Sequence, residues 1–169
     1  MGITQDVKQT WPSAGEFDSD LDHSGDSGVG ESSRETAYEG ANHLDTPKIA
    51  VILQAGTESH EGLARALHAL LYTKELTEEG ITAKLIFDGA GSEWAAKLIA
   101  PESPQEKGLA KLFEGLNAAG VAYEICDYCS GAFHVKDKLQ AANVPLTSQY
   151  MNHPSVATLV KDGYQVWIL

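Results

Sequence analysis

The run Lys48-Ile49-Ala50-Val51-Ile52-Leu53 constrains this chain more than any other segment. Consecutive apolar residues without polar alternation suit a strand covered on both faces, and such strands belong to parallel sheets. A parallel sheet needs a long crossover after each strand, usually a helix. The residues that follow supply one. Gln54 to His60 reads as a loop, with Ser59 a helix N-cap. Leu63, Leu67, Leu70 and Leu71 share one helical face, and Gly80 ends it. Ala83-Lys84-Leu85-Ile86-Phe87 is a second strand, closed by the turn Asp88-Gly89-Ala90-Gly91.

The alternation continues to the end of the chain. Trp94 to Ile99 reads as helix, and Pro101 and Pro104 interrupt it. Gln105 to Ala119 is a further helix, with Leu109, Leu112, Phe113 and Leu116 on one face and Gly120 as its cap. Gly120 to Ile125 is a third strand, and Phe133 to Ala142 is the helix after it. Val144 to Thr147 is a short strand in which Pro145 limits pairing. Asn152-His153-Pro154 precedes a short helix carrying Val156, Leu159 and Val160. Asp162-Gly163 turns into a last strand, Tyr164 to Leu169. This βα series predicts an α/β fold with a mostly parallel five-stranded sheet. The strand order 2-1-3-4-5, common for such chains, places the crevice between the ends of strands one and three.

The charge is unevenly spread. Residues 1–46 hold ten of the 24 acids and two of the 12 bases, so most of the net charge of −12 sits there. That segment is rich in Ser, Gly, Asp and Glu and lacks apolar periodicity. It reads as an acidic disordered tail in which Trp11, Phe17 and Tyr38 are isolated. The folded domain is expected over residues 47–169. The acidity argues against nucleic acid, which needs a basic footprint, and against an anionic membrane surface. No apolar run of spanning length and no secretory signal is evident, so a cytoplasmic protein is expected.

Two cysteines are present, Cys126 and Cys129, in the sequence Cys126-Asp127-Tyr128-Cys129. They lie between the third strand and a helix. Backbone N–H groups and the helix dipole at such a junction favour thiolate, the reactive form. Glu124 and Asp127 oppose this if they face the sulfur. Cys126, directly after the strand, is expected to be the nucleophile or sulfur carrier, and Cys129 the resolving thiol. The bland alternatives are a small buried apolar residue at a strand end for Cys126 and a plain helix first-turn residue for Cys129.

Other chemistry is less specific. His60, His134 and His153 are the imidazoles that can join two cysteines in a tetrahedral metal set. The spacing fits no zinc finger and no second CxxC exists, so no metal ligand is assigned. His60 can donate to an anionic substrate or be a solvated first-turn residue of the helix, and Asp88 with Gly89 can bind a polar ligand or serve plain turn chemistry. Gly56 and Gly62 lack the Lys-Ser/Thr of a phosphate loop. Tyr128 and Phe133 wall the expected crevice or fill the core. The candidate binding residues are therefore Gly56, Ser59, His60, Asp88, Gly89 and Tyr128.

Several segments together resemble the DsrE-like (DsrE/DsrF-like) family of the sulfur-relay superfamily. They are Ala55-Gly56-Thr57-Glu58-Ser59-His60-Glu61-Gly62, Arg65 to Leu71, Phe87-Asp88-Gly89-Ala90-Gly91, Cys126 to Phe133, His153-Pro154-Ser155 and Gly163-Tyr164-Gln165-Val166. The resemblance covers residues 47–169 and none of the tail. It implies a flavodoxin-like three-layer fold, assembly as trimers or hexamers, and a persulfide-bearing cysteine at the place of Cys126. The expected function is a sulfur carrier or sulfurtransferase exchanging with donor and acceptor proteins or small persulfides, with no organic cofactor. A thiol–disulfide redox protein and a non-enzymatic module for a small ligand or metal are the alternatives. The CxxC and the tail depart from the better-studied branches.

Overall fold

The protein is described by a computed structural model over residues 46–169. The expected acidic tail, with Trp11, Phe17 and Tyr38, lies outside the described residues except for Thr46. Five parallel strands form one sheet: β1 (Lys48–Leu53), β2 (Thr82–Phe87), β3 (Ala122–Cys126), β4 (Leu146–Thr147) and β5 (Tyr164–Ile168). Their order is β4-β3-β2-β1-β5. The helices are α1 (His60–Glu78), α2 (Gly91–Ile99), α3 (Pro104–Ala118), α4 (Asp127–Ala132), α5 (Lys136–Ala141) and α6 (Val156–Lys161).

This order fixes the layers. Parallel crossovers are right-handed. The steps from β1 to β4 all run the same way, so their helices fall on one face. Only the return from β4 to β5 runs the other way, and α6 falls on the opposite face. Packing agrees. On one face Ile49, Val51 and Leu53 of β1, Leu85 and Phe87 of β2 and Ile125 of β3 share a core with Ala66, Ala69 and Leu70 of α1, Trp94 and Leu98 of α2, Phe113 and Leu116 of α3 and Leu139 of α5. Across the sheet, Ala50, Ile52 and Ile86 meet Leu159 of α6 alone among fully buried residues. The result is the expected three-layer α/β class, with one thick and one thin helical layer. Each fully buried Leu, Ile or Phe contributes roughly 1.5–3 kcal/mol, so the thick layer carries most of the stability.

Local chemistry explains the element ends. Ser59 Oγ accepts the Gly62 N–H at 3.0 Å and caps α1. Ser103 and Glu106 form a reciprocal capping box at the start of α3, and Pro104 takes the first helical position, where no donor is needed. The face of α1 against the sheet is Gly62, Ala66, Ala69, Leu70 and Thr73, small residues that let the helix lie close. Leu71, expected on that face, is exposed.

Two further expectations are corrected. The strand order is not 2-1-3-4-5, because β2 separates β1 from β3. The helix after the cysteines is also not continuous. It begins at Asp127, immediately after β3, and breaks at Phe133–Val135, where His134 takes a left-handed φ of 59°.

Candidate functional site

In a parallel sheet the C-terminal ends of all strands share one rim. Phe87 pairs with Ile125, so the next residues, Asp88 and Cys126, emerge side by side. No loop follows β3. Cys126 is itself the N-cap of α4, and its Sγ accepts the Cys129 N–H at 3.4 Å. That turn brings Cys129 back over the strand ends.

The fourth component comes from the chain after β4. To reach β5 this segment must cross the sheet from one edge to the other. It does so through a tight turn at Tyr150–His153, with Met151 at φ 47° and Asn152 at φ 65°. His153 N–H donates to Tyr150 O at 2.8 Å and Tyr150 N–H to His153 O at 2.9 Å. Two successive positive φ values define the tight hairpin turn of type I′. Tyr128 N–H donates to Asn152 O at 3.0 Å and ties the turn to α4. His153 is thereby held above the cysteines, with the Tyr128 ring 4.9 Å away, centroid to centroid.

The functional atoms converge. His153 Nδ1 lies 3.1 Å from Cys126 Sγ, 3.7 Å from Cys129 Sγ and 3.6 Å from Asp88 Oδ1. Cys129 Sγ donates to Asp88 Oδ1 at 3.3 Å. One donor atom from each of the four residues lies within 4.8 Å of every other. Gln54 Nε2 donates to Asp88 Oδ2 at 3.0 Å, which turns the other carboxylate oxygen toward the sulfurs. Both thiols are free and buried, Cys126 at 0% and Cys129 at 6% exposure.

The electrostatics reverse one expectation. Burial pushes the Cys126 thiol above the usual cysteine range. The Cys129 N–H pulls the other way but does not outweigh burial, to which the Cys129 side chain and then Asp88 add. Burial and Asp88 push Cys129 up as well, although a hydrogen bond from Cys126 and the Gly89 N–H oppose them. Burial also resists ionisation of Asp88, yet hydrogen bonds from both thiols, Gln54 and Gly89 hold it below the usual carboxylate value. The acids named from sequence are engaged elsewhere: Glu124 with Lys84 at 2.8 Å and Asp127 with Lys136 at 2.7 Å. The carboxylate that matters is Asp88, forty-one residues before Cys129.

Of the candidate residues, Cys126, Cys129, Asp88, Gly89 and Tyr128 come together. Gly56, Ser59 and His60 do not join them. Gly56 and Ser59 line an open depression of about 400 Å³ between the ends of β1 and β5, with Gln54, Arg65 and Leu169. Gly56 O accepts the Trp94 indole N–H at 3.0 Å, and a Cβ on Gly62 would stand 1.9 Å from the same oxygen. These residues seat the first turn of α1. His60 is the exposed first residue of that helix. Sequence reading weighs His153 only within a metal set and leaves out Gln54. The available signal is that every strand-end loop of a parallel sheet meets one rim.

A buried cysteine pair at a strand end, on a three-layer sheet of order 4-3-2-1-5, defines a class of small thiol-bearing α/β proteins. A sequence profile described as the DsrE/DsrF-like family matches residues 47–167, and the chain belongs to that family. It is 25% identical over 100 residues to a protein of Methanocaldococcus jannaschii described as uncharacterized, covering 59% of this chain and 76% of that one. A solved structure of a conserved protein of unknown function from Bacteroides thetaiotaomicron aligns with TM-score 0.43 and 16% identity, over 71% of this chain and 94% of that chain.

Proposed function

We propose that this protein is a cytoplasmic sulfur carrier that accepts sulfane sulfur on Cys126, with Cys129 as the resolving thiol. Family membership supports sulfur relay as the class. The observation that carries the reading is the placement of His153 Nδ1 3.1 Å from Cys126 Sγ. A buried thiol held protonated needs a base within hydrogen-bond reach, and an imidazole is the side chain suited to neutral pH.

In the first step His153 takes the Cys126 proton, and the thiolate attacks the terminal sulfur of a donor persulfide. A bond forms from Cys126 Sγ to that sulfur, the donor's S–S bond breaks, and the donor leaves as thiolate. The acceptor can then take the terminal sulfur by the same exchange. Alternatively Cys129 attacks Cys126 Sγ. The protein disulfide forms, the two thiols are oxidised, and the terminal sulfur leaves as sulfide. Asp88 receives the Cys129 proton along the contact already present. The sulfurs are buried, so the proton passes to His153 in the closed arrangement and the Tyr150–His153 turn then moves aside for the donor. Gly89 and Tyr128 frame the donor's approach; Gly56, Ser59 and His60 have no part in this reading. The working unit is a homo-oligomer, a trimer or hexamer.

The test is intact mass spectrometry of the reduced, metal-free chain after exposure to a small persulfide. One added sulfur is expected on Cys129→Ser, which cannot resolve it; the wild type should show one added sulfur or the disulfide formed by its loss, and Cys126→Ser neither. His153→Ala should load about a hundredfold or more slowly, the usual contribution of a positioned base. Loading of Cys126→Ser at the wild-type rate overturns the assignment.

A further inference from the structure

We infer that Asp88, Cys126, Cys129 and His153 form a binding site for one tetrahedral, thiophilic divalent cation of the zinc type. The argument is geometric. Zinc bonds of about 2.0–2.3 Å to O, N and S imply distances of about 3.3–3.8 Å between neighbouring ligand atoms of a tetrahedron. Four of the six edges of this cluster measure 3.1, 3.3, 3.6 and 3.7 Å, and the other two lie within 4.8 Å. The cation's place is therefore built with only small adjustments of side chains.

The donor set selects the metal. Two sulfurs, one imidazole nitrogen and one carboxylate oxygen suit a borderline-soft cation and not magnesium or calcium, which take oxygen ligands. Two thiols are too few for an iron–sulfur cluster held by four. Supporting groups are in place: Gln54 and Gly89 orient the carboxylate, and the Tyr150–His153 turn orients the imidazole. The sequence spacing misses the site because its ligands come from two strand ends, the first turn of α4 and a crossing segment.

Binding displaces both thiol protons to solvent and occupies both sulfurs. The cation therefore holds the site out of sulfur exchange, a consequence that rests on the carrier reading. The metal site itself does not.

The experiment uses the full chain, reduced and stripped by chelator. Anaerobic titration with Co²⁺ is expected to give one cobalt per chain, a thiolate-to-cobalt charge-transfer band and the strong visible bands of tetrahedral geometry. Zn²⁺ should abolish both stoichiometrically. Cys126→Ser and Cys129→Ser should each lower the charge-transfer absorbance per cobalt by about half. Those two, His153→Ala and Asp88→Asn should each weaken binding by about tenfold or more. Melting curves of the metal-free variants separate ligand loss from unfolding: a folded variant that binds cobalt as wild type does overturns its residue's assignment. Absence of the charge-transfer band, or weak octahedral bands alone, overturns the site. Zn²⁺ should slow persulfide loading about tenfold or more, and chelator should restore it. Unchanged loading overturns the masking role and leaves the cation site standing. Failure of the stripped protein to load overturns the carrier reading, again without touching the cobalt result.

Discussion

At the scale of single residues, the burial of Cys126 and Cys129 has a consequence for stability. Both thiols are held protonated above their ordinary value of 9.0, chiefly by burial and then by Asp88. An unfolded chain has no such restraint. The stabilisation is fully present below the unfolded value and is lost as pH rises through it toward the higher folded values. The metal-free, reduced protein should therefore lose stability between pH 8 and 10 (about one unit either side of the ordinary thiol value). Urea denaturation across that range measures it. Cys126→Ala should flatten the slope, at a lower overall stability of about 1–2 kcal/mol for the small cavity left. A slope unchanged in this variant would show that other groups titrate there. Cys126 and Asp88 were legible in the sequence because each directly follows a strand pattern, and Cys129 through its CxxC spacing from Cys126. Their electrostatic coupling was not, since it depends on Asp88 and Cys126 standing at the ends of adjacent strands.

Among elements, α2 and α3 are joined by one side chain. Glu106 Oε2 accepts N–H groups of Glu102 and Ser103, and its Oε1 accepts Lys97 Nζ at 2.6 Å. Burial opposes ionisation, but these donors win and hold the Glu106 carboxyl at about 2. A depressed carboxyl stabilises the fold above its unfolded value and loses that effect as pH falls through the folded one. Glu106→Gln should cost about 1–2 kcal/mol at neutral pH, allowing for partial solvent screening of Lys97. It should remove part of the acid dependence between pH 4.5 and 2. Denaturation of both proteins at several pH values checks it, and parallel pH curves would contradict it. From sequence, Pro104 reads as a break and the helix begins at Gln105, which misses both the capping box of Ser103 and Glu106 and the bridge to Lys97. The strand order escaped too. Periodicity identifies a strand and its faces; it does not say which strands are neighbours. The crevice expected beside Gly56–His60 failed on that point alone.

For the whole molecule, the thin layer matters most. Right-handed crossovers leave one sheet face to α6, whose Val156 and Val160 are 52% and 61% exposed, while Ile168 on the edge strand β5 is 61% exposed. Exposed apolar residues on a thinly covered face call for a partner. Light scattering of the full chain should give a mass three or six times 18.1 kDa. Val160→Asp should shift the protein toward smaller species without lowering the protomer's helix content. A monomeric wild type would refute self-association. A chain shortened to residues 47–169 should keep the melting temperature of the full chain, because the segment removed lacks the apolar periodicity of a packed element. A fall of more than a few degrees would place Trp11, Phe17 or Tyr38 in the core.

The pairing of β1 with β5 also sets the order of events in folding. Lys48 lies beside Tyr164 and Ile52 beside Ile168. Of the described strands, the first to be synthesised thus waits for the last before both of its edges are paired. Contacts so distant in sequence slow folding, because loop closure must precede any gain from them. Until then the free edge of β1 is a template for the β5 of another chain. Refolding yield should fall as protein concentration rises, with exchanged dimers as the side product.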